Sequence, residues 1–248
     1  MSLSNVQVNS SQRDEDSFIK GVKDCIPTLL GYLSIGIAAG VIQKTAGLSI
    51  AEIILMSLIL YAGSAQFIVA GMMATSSSLS AIIITIFFVN LRHILLSAAL
   101  APYFRHLSPF RNMLVGSLLT DETFGVAISE AAKKKKISER WMHGLNITAY
   151  INWLLANLAG AFLAQWISNP EEFGLGFALP AMFIGILILT MLGRSTIKLD
   201  IIVAIIAVVI AVGSSFILSS SMGVIVATII ASTIGMVVEK WKYDGAFF

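Results

Sequence analysis

The sequence predicts an all-α, polytopic transmembrane helix bundle of about eight spans, with interrupted helices near the membrane midplane. Three observations predict it. Hydrophobic residues make up 57% of the 248 and charged residues only 12%, against roughly a quarter charged in a soluble domain. The apolar stretches fit a bilayer, whose hydrocarbon core of about 30 Å takes about 20 helical residues. Runs such as IIITIFFV (82–89) and DIIVAIIAVVIAV (200–212) are continuous and lack the every-second-residue alternation of a barrel strand.

The apolar stretches lie at 26–43, 51–74, 80–101, 112–131, 142–167, 174–193, 201–218 and 224–238. They define a transmembrane domain, 26–238, between an N-terminal tail, 1–25, and a C-terminal tail, 239–248. The N-terminal tail is polar and mixed in charge, without the apolar run of a secretory signal. Residues 1–15 are expected to be loosely ordered and 16–25 to form a short interfacial helix. No segment between spans is long enough for a soluble catalytic domain.

Charge gives an orientation. With a cytoplasmic N-terminus, the inner segments are the N-tail, 75–79, 132–141, 194–200 and the C-tail, holding 3, 0, 5, 2 and 2 Lys and Arg. The outer loops 44–50, 102–111, 168–173 and 219–223 hold 1, 2, 0 and 0. This 12-to-3 excess places both termini in the cytoplasm by the positive-inside rule. A re-entrant segment, or insertion of 201–218 with 224–238 as one hairpin-like unit, would change the topology. The run Lys133–Lys136 reads as a topology anchor, with anionic-lipid binding as the alternative. A net charge of +2 supplies no basic patch for nucleic acid. Cys25, the one cysteine, excludes an intrachain disulfide and a multi-cysteine metal site. No cofactor or metal is expected.

Small residues recur every four positions at Gly36 and Gly40, at Ala156, Gly160 and Ala164, at Ala207, Ala211 and Ser215, and at Gly223, Ala227, Ala231 and Gly235. Such ridges let helices approach closely, either within the chain or with a second membrane subunit, for which the last two spans are the first candidates. Trp141, Trp166 and Trp241 lie at span ends, as interface anchors do; Trp153 does not.

Polar groups inside spans mark the candidate site, because an unpaired Asp or Arg at helix centre costs about 2.5–3.5 kcal/mol even on the lenient insertion scale. Asn90-Leu91-Arg92-His93 and Thr120-Asp121-Glu122-Thr123 sit half-way through consecutive spans. Such spans are antiparallel neighbours, so the clusters meet at one depth, with an Arg92–Asp121 pair as a structural clasp or part of a transport route. Asn90, His93 and Ser97 share a helix face. Arg92 and His93 diverge by about 100°, as do Asp121 and Glu122. Either one of each pair lines the route while the other fastens helices, or a local break brings all four together. Ala62-Gly63-Ser64-Ala65-Gln66-Phe67 reads as an interrupted helix, with the N-terminal end of a half-helix facing an anionic group, or as a small-residue notch with Gln66 bonded to a neighbour. Asn146, Tyr150, Trp153, Asn157 and Gly160 form one face of the fifth span, either lining a cavity or making a belt of interhelical hydrogen bonds.

Gly63-Ser64-Ala65-Gln66-Phe67, then Asn90-Leu91-Arg92-His93, then Thr120-Asp121-Glu122 with Phe124 resemble in order and separation the signposts of the AzlC family. The opening Pro27, Gly31, Gly36 and Gly40 helix is similar to the family's first span, and the resemblance covers about residues 20–240. The family is the large subunit of bacterial branched-chain amino acid exporters. The resemblance therefore implies efflux of leucine, isoleucine, valine or methionine across the cytoplasmic membrane, with a small AzlD-like membrane partner.

Such a substrate needs carboxylate donors, ammonium acceptors and an apolar pocket. Arg92, Asn90 or N–H groups near Gly63 suit the first; Asp121, Glu122 or unwound carbonyls the second; Phe67, Phe88 and Phe124 the third. The assigned substrate-binding residues are Gly63, Ser64, Gln66, Asn90, Arg92 and Asn157, and the proton-coupling residues His93, Asp121 and Glu122. No G-x-x-x-x-G-K-[ST] loop is present, so proton coupling takes the place of ATP hydrolysis. A channel would show a repeated filter motif. An intramembrane enzyme would cast Ser64 with His93, or His93 with Asp121 and Glu122 on a metal, without G-x-S-x-G or H-E-x-x-H.

Overall fold

A computed structural model describes residues 17–167, 169–192, 197–217 and 220–244; the expected loose tail, 1–15, lies outside them. The regular structure among the described residues is helical. The chain divides into two compact units, Met1–Phe183 and Ile184–Phe248. Among the described residues, four helical stretches are long and apolar enough to cross a membrane: Phe18–Thr45, Leu79–Phe104, Glu139–Trp166 and Ile197–Ser214.

Helix α1, Phe18–Thr45, starts where the Ser17 hydroxyl accepts the Lys20 N–H at 3.1 Å. Nothing interrupts the next residues, and α1 continues through Pro27. The separate interfacial helix expected at 16–25 is therefore the first turns of α1. The helix ends in a turn through Gly47, whose φ of +97° lies in the left-handed region that glycine enters without strain.

Two expected spans are divided. The 51–74 stretch forms α2, Ile50–Ile59, and α3, Gly63–Ala74. A Ser49–Glu52 capping box starts α2. The 112–131 stretch forms α6, Pro109–Ser117, and α7, Asp121–Ala131, which begins with a Thr120–Thr123 capping box. Between these pairs run α4, Leu79–Asn90, and α5, Arg92–Leu100. Leu91 between them keeps helical angles, φ −55° and ψ −26°, so α4 and α5 continue as one rod to Phe104.

Helix α8, Glu139–Leu163, lies along α1 over most of its length. The two backbones touch. A Cβ on Gly21 would strike the Trp141 carbonyl, one on Gly144 the Phe18 carbonyl, one on Gly40 the Asn157 carbonyl and one on Gly160 the Ile37 carbonyl. Low numbers meet at one end and high numbers at the other, so α1 and α8 are parallel. The Gly36–Gly40 and Ala156–Gly160 ridges thus serve packing inside the chain. Trp141, expected as an interface anchor, is 2% exposed and donates to Asp24 at 2.9 Å. It belongs to the core, because the glycine contacts bring α1 over its ring. Trp166 and Trp241 are exposed.

The second unit holds most of α9, Ala178–Leu192, together with α10, Ile197–Ser214, and α11, Ser220–Asp244. Gly235 meets Val203, 3.1 Å from an added Cβ, and Ala227 and Ala231 are buried. Of this ridge, which lies on the first candidate spans for a partner, Ala227, Ala231 and Gly235 already pack within the chain. The Ile205 and Val209 side chains of α10 are exposed, as a lipid-facing surface requires.

Candidate functional site

Arg92, the first residue of α5, lies between the ends of two short helices. Its Nη1 is 2.7 Å from the Asp121 carboxylate at the start of α7, and its Nη2 donates to Ser64 Oγ at 2.7 Å at the start of α3. Its guanidinium also stands over the Phe183 ring, 5.2 Å from the centroid, a favourable cation–π separation. Sequence reasoning missed Phe183, which no polar neighbour in the chain marks.

A small cavity of about 10 Å³ adjoins this pair, lined in part by Gly63, Arg92, His93, Asp121 and Glu122. All four ionisable groups therefore share one cavity. The α4–α5 rod presents the adjacent Arg92 and His93 to it, and the first turn of α7 presents Asp121 and Glu122. The anionic side chains stand at the positive end of the α7 dipole. No side chain caps α3, and Ala62 and Gly63 at its positive end line the cavity. Tyr32 and Trp153 complete the wall, their rings edge to face at 5.7 Å. The Tyr32 hydroxyl bonds Thr120 Oγ1. His93 Nδ1 is 3.2 Å from the Asn90 carbonyl. The buried Arg92 Nε and Asn90 Oδ1 have no hydrogen-bond partner.

Gln66 and Asn157 lie in a different network. Both are 0% exposed, as is Gln43. Gln43 Nε2 donates to Asn157 Oδ1 at 2.8 Å and to Gln66 Oε1 at 3.3 Å, and Trp153 Nε1 donates to Gln66 Oε1 at 3.1 Å. Gln66 Nε2 donates to the carbonyls of Met56, 3.2 Å, and Leu60, 2.8 Å. These acceptors lie at the end of α2 and just beyond it. Gln66 thus fastens α3 to α2 across their turn, the bonded-neighbour alternative of the sequence reading. Gln43 was missed because a single Gln near a span end looks like an interfacial residue.

The polar face of α8 is a belt of interhelical bonds. Asn146 donates to the Val115 carbonyl of α6 at 2.9 Å and Tyr150 to the Leu58 carbonyl of α2 at 2.9 Å. Trp153 both joins this belt and lines the cavity. Of the expected apolar residues, Phe67 is buried, Phe124 packs beside the core, and Phe88 is exposed.

Gln66→Leu is expected to leave the Trp153 indole N–H without a partner and to remove the second hydrogen bond of the Met56 and Leu60 carbonyls, which keep the Leu60 and Ala62 N–H groups. A buried polar group left unsatisfied costs about 1–3 kcal/mol, and the detergent-solubilised protein should lose about that much stability. A lowered thermal midpoint checks this. An unchanged midpoint would mean that Gln66 does not hold the turn.

The chain matches the AzlC protein family over residues 27–167. It is 30% identical over 177 residues to the inner membrane protein YgaZ of Escherichia coli, covering 69% of this chain and 72% of that protein. It is 34% identical over 185 residues to an uncharacterized membrane protein of Archaeoglobus fulgidus, covering 71% and 77%. It is 25% identical over 186 residues to the branched-chain amino acid transport protein AzlC of Bacillus subtilis, covering 74% and 72%. No solved structure matches the chain. The residues that meet around Arg92 from α3, α5 and α7 all fall within the matched segment, and this helical membrane protein belongs to the AzlC family.

Proposed function

We propose that the chain is a secondary transporter that exports branched-chain amino acids, coupled to protons and working with a small membrane subunit. The transport domain is 26–238, with the N- and C-termini in the cytoplasm. The observation that carries the reading is Arg92, held by Asp121 and Ser64 at the ends of two half-length helices, with a buried Nε still unpaired. A guanidinium in that place suits a substrate carboxylate, and the first turn of α3 adds N–H donors. Asp121 and Glu122 suit the ammonium group.

In this reading Asp121 is the proton-responsive carboxylate, with His93 or Glu122 as its relay partner. Protonation of Asp121 frees Arg92 for the substrate; loss of the proton restores the pair and expels the carboxylate. Gly63, Ser64 and Asn90 line or adjoin the binding place, while Gln66 and Asn157 hold its wall. A cavity of about 10 Å³ has room for about one water molecule. Substrate entry therefore requires the walls to part, as alternating access demands.

Counterflow of labelled leucine into proteoliposomes tests the reading, with the chain alone and with a small family partner. Leucine accumulation is expected with both subunits and should respond to an imposed pH gradient. Absence of counterflow for every branched-chain amino acid with both subunits present would remove the substrate assignment. Full activity of the chain alone would remove the partner.

A further inference from the structure

We propose that α2–α3 and α6–α7 are re-entrant hairpins inserted from opposite membrane faces, and that they are the two gates of the site, latched together by Arg92. The gating role rests on the transport reading above; the topology does not. Helix length is the first argument. With 10, 12, 9 and 11 residues, these helices measure about 13–18 Å at 1.5 Å per residue, roughly half a hydrocarbon core.

The α6–α7 pair begins and ends at one level. Arg111 of α6 is paired with Glu139 at the start of α8, its Nε 3.0 Å from Oε1. The Ile137 N–H, just beyond α7, donates to the Tyr103 carbonyl at 3.3 Å, a few residues before α6. The turn at 118–120 lies far from that level, where Thr120 reaches Tyr32, about 20 Å along α1 from Phe18. The pair therefore enters and leaves by the face where α1 and α8 begin.

The α2–α3 pair is its opposite. Ile53 of α2 packs with Leu48 and Ala161, at the far ends of α1 and α8. Its turn comes back to the middle of α8, where Tyr150 bonds the Leu58 carbonyl and Trp153 meets Gly63. The α4–α5 rod fixes where α3 ends. Tyr103 lies at the face where α8 begins and Arg92 at the cavity, so Leu79, about 20 Å further along the rod, lies at the other face. Ala74 is joined to Leu79 by 75–78 alone, so α3 runs back to the face from which α2 came.

Charge supports the same arrangement. It gathers the N-tail, 102–111 and 132–141 on one side, with 3, 2 and 5 Lys and Arg, and leaves 44–50 and 75–79 on the other, with 1 and 0. Alternating full spans would move 102–111, with its 2 Lys and Arg, to the less basic side, a weaker fit to the positive-inside rule. Exchanging two crossings for two hairpins preserves parity, so both termini stay on the cytoplasmic side of the proposal.

The hairpin tips are joined by one side chain. Arg92 holds Ser64 in one tip and Asp121 in the other, and the small cavity lies between them. Breaking the Asp121 bond uncouples the inner tip from Arg92 while Ser64 still holds the outer one, and the reverse uncouples the outer tip. The site then meets one face at a time.

Single cysteines at Thr75, His106 and Lys135, all exposed positions, test the topology in a Cys25→Ser background with a membrane-impermeant maleimide on sealed vesicles of known sidedness. His106→Cys and Lys135→Cys should label from the same side and Thr75→Cys from the opposite one. Labelling of Thr75→Cys with Lys135→Cys, or of His106→Cys opposite Lys135→Cys, overturns the hairpins. This readout does not depend on the transported molecule, so failure of leucine counterflow and failure of the topology are distinguishable. Cysteines at the buried tips, Ala62→Cys and Leu119→Cys, test the latch. Asp121→Asn should raise labelling of Leu119→Cys severalfold from the Lys135 side, and Ser64→Ala that of Ala62→Cys from the Thr75 side. Equal labelling of both tips from one side in either variant refutes the gate assignment.

Discussion

Leucine movement by Asp121→Asn is expected to lose its response to pH while exchange across the membrane partly survives. The wild-type carboxylate is 2.7 Å from Arg92 Nη1, with both side chains largely withdrawn from solvent. An ion pair in that setting is strong when made and costly to leave with one partner. In the proposed cycle a proton on Asp121 removes the charge, and Arg92 then takes the substrate carboxylate. Asparagine fixes the neutral form at nearly the same volume, so Arg92 stays available at every pH and nothing drives the return step. The measurement is leucine efflux from proteoliposomes with and without a pH gradient. A wild-type rate with a wild-type pH response would reduce Arg92–Asp121 to a clasp between helices. Arg92→Lys offers a second check. It should weaken leucine binding at least about tenfold, because an ammonium lacks the planar fork that holds Asp121 and Ser64 together and matches a carboxylate.

Gly40→Ala is expected to have the largest effect on the fold itself. In a free helix the exchange is favourable by up to about 1 kcal/mol. In α1 the added methyl meets the Asn157 carbonyl oxygen and the Ala161 nitrogen, backbone atoms that have no rotamer to change. The two helices must separate, which loosens Gly36 against Ala156 and the Gln43–Asn157 bond as well. Overpacking of a close contact costs about 1–3 kcal/mol or more, and the thermal midpoint should fall by several degrees or the protein fail to accumulate. Gly31→Ala on the same helix is the control, since nothing lies within 4 Å of a Cβ there; it should be neutral or slightly stabilising. Equal behaviour of the two variants would mean that α1 and α8 are not in backbone contact.

Much of the site was legible from the cost of charge in a bilayer. An isolated Arg92 or Asp121 in hydrocarbon is too unfavourable to stand alone, so their pairing follows from residue type and depth. The close crossing of α1 and α8 was half legible. Gly36, Gly40 and Gly160 show a four-residue period, whereas Gly21 and Gly144 stand outside any ridge and meet only because the helices are parallel. Gln66 and Asn157 were legible as buried amides and not by role. An amide supplies donors and acceptors equally to a ligand or a carbonyl, and its partner, the Leu60 carbonyl, exists as an acceptor only because α2 stops there.

Sequence by itself determined the class of molecule, its helical character, the orientation signal and the polar residues that must find one another, because each follows from local composition and the length of a bilayer. Tertiary structure decided the direction of the chain at Leu60–Ala62 and Leu118–Thr120. A stretch of about twenty apolar residues satisfies the hydrocarbon core equally as one crossing helix or as two half-length helices side by side. Hydropathy is the same in both cases. What separates them is where the freed backbone groups and side chains find partners: Gln66 at the Met56 and Leu60 carbonyls, Asn146 at Val115, Tyr150 at Leu58 and Thr120 at Tyr32. All but the first are contacts between residues far apart in the chain, and they turn two apparent spans into the opposed tips that close on Arg92.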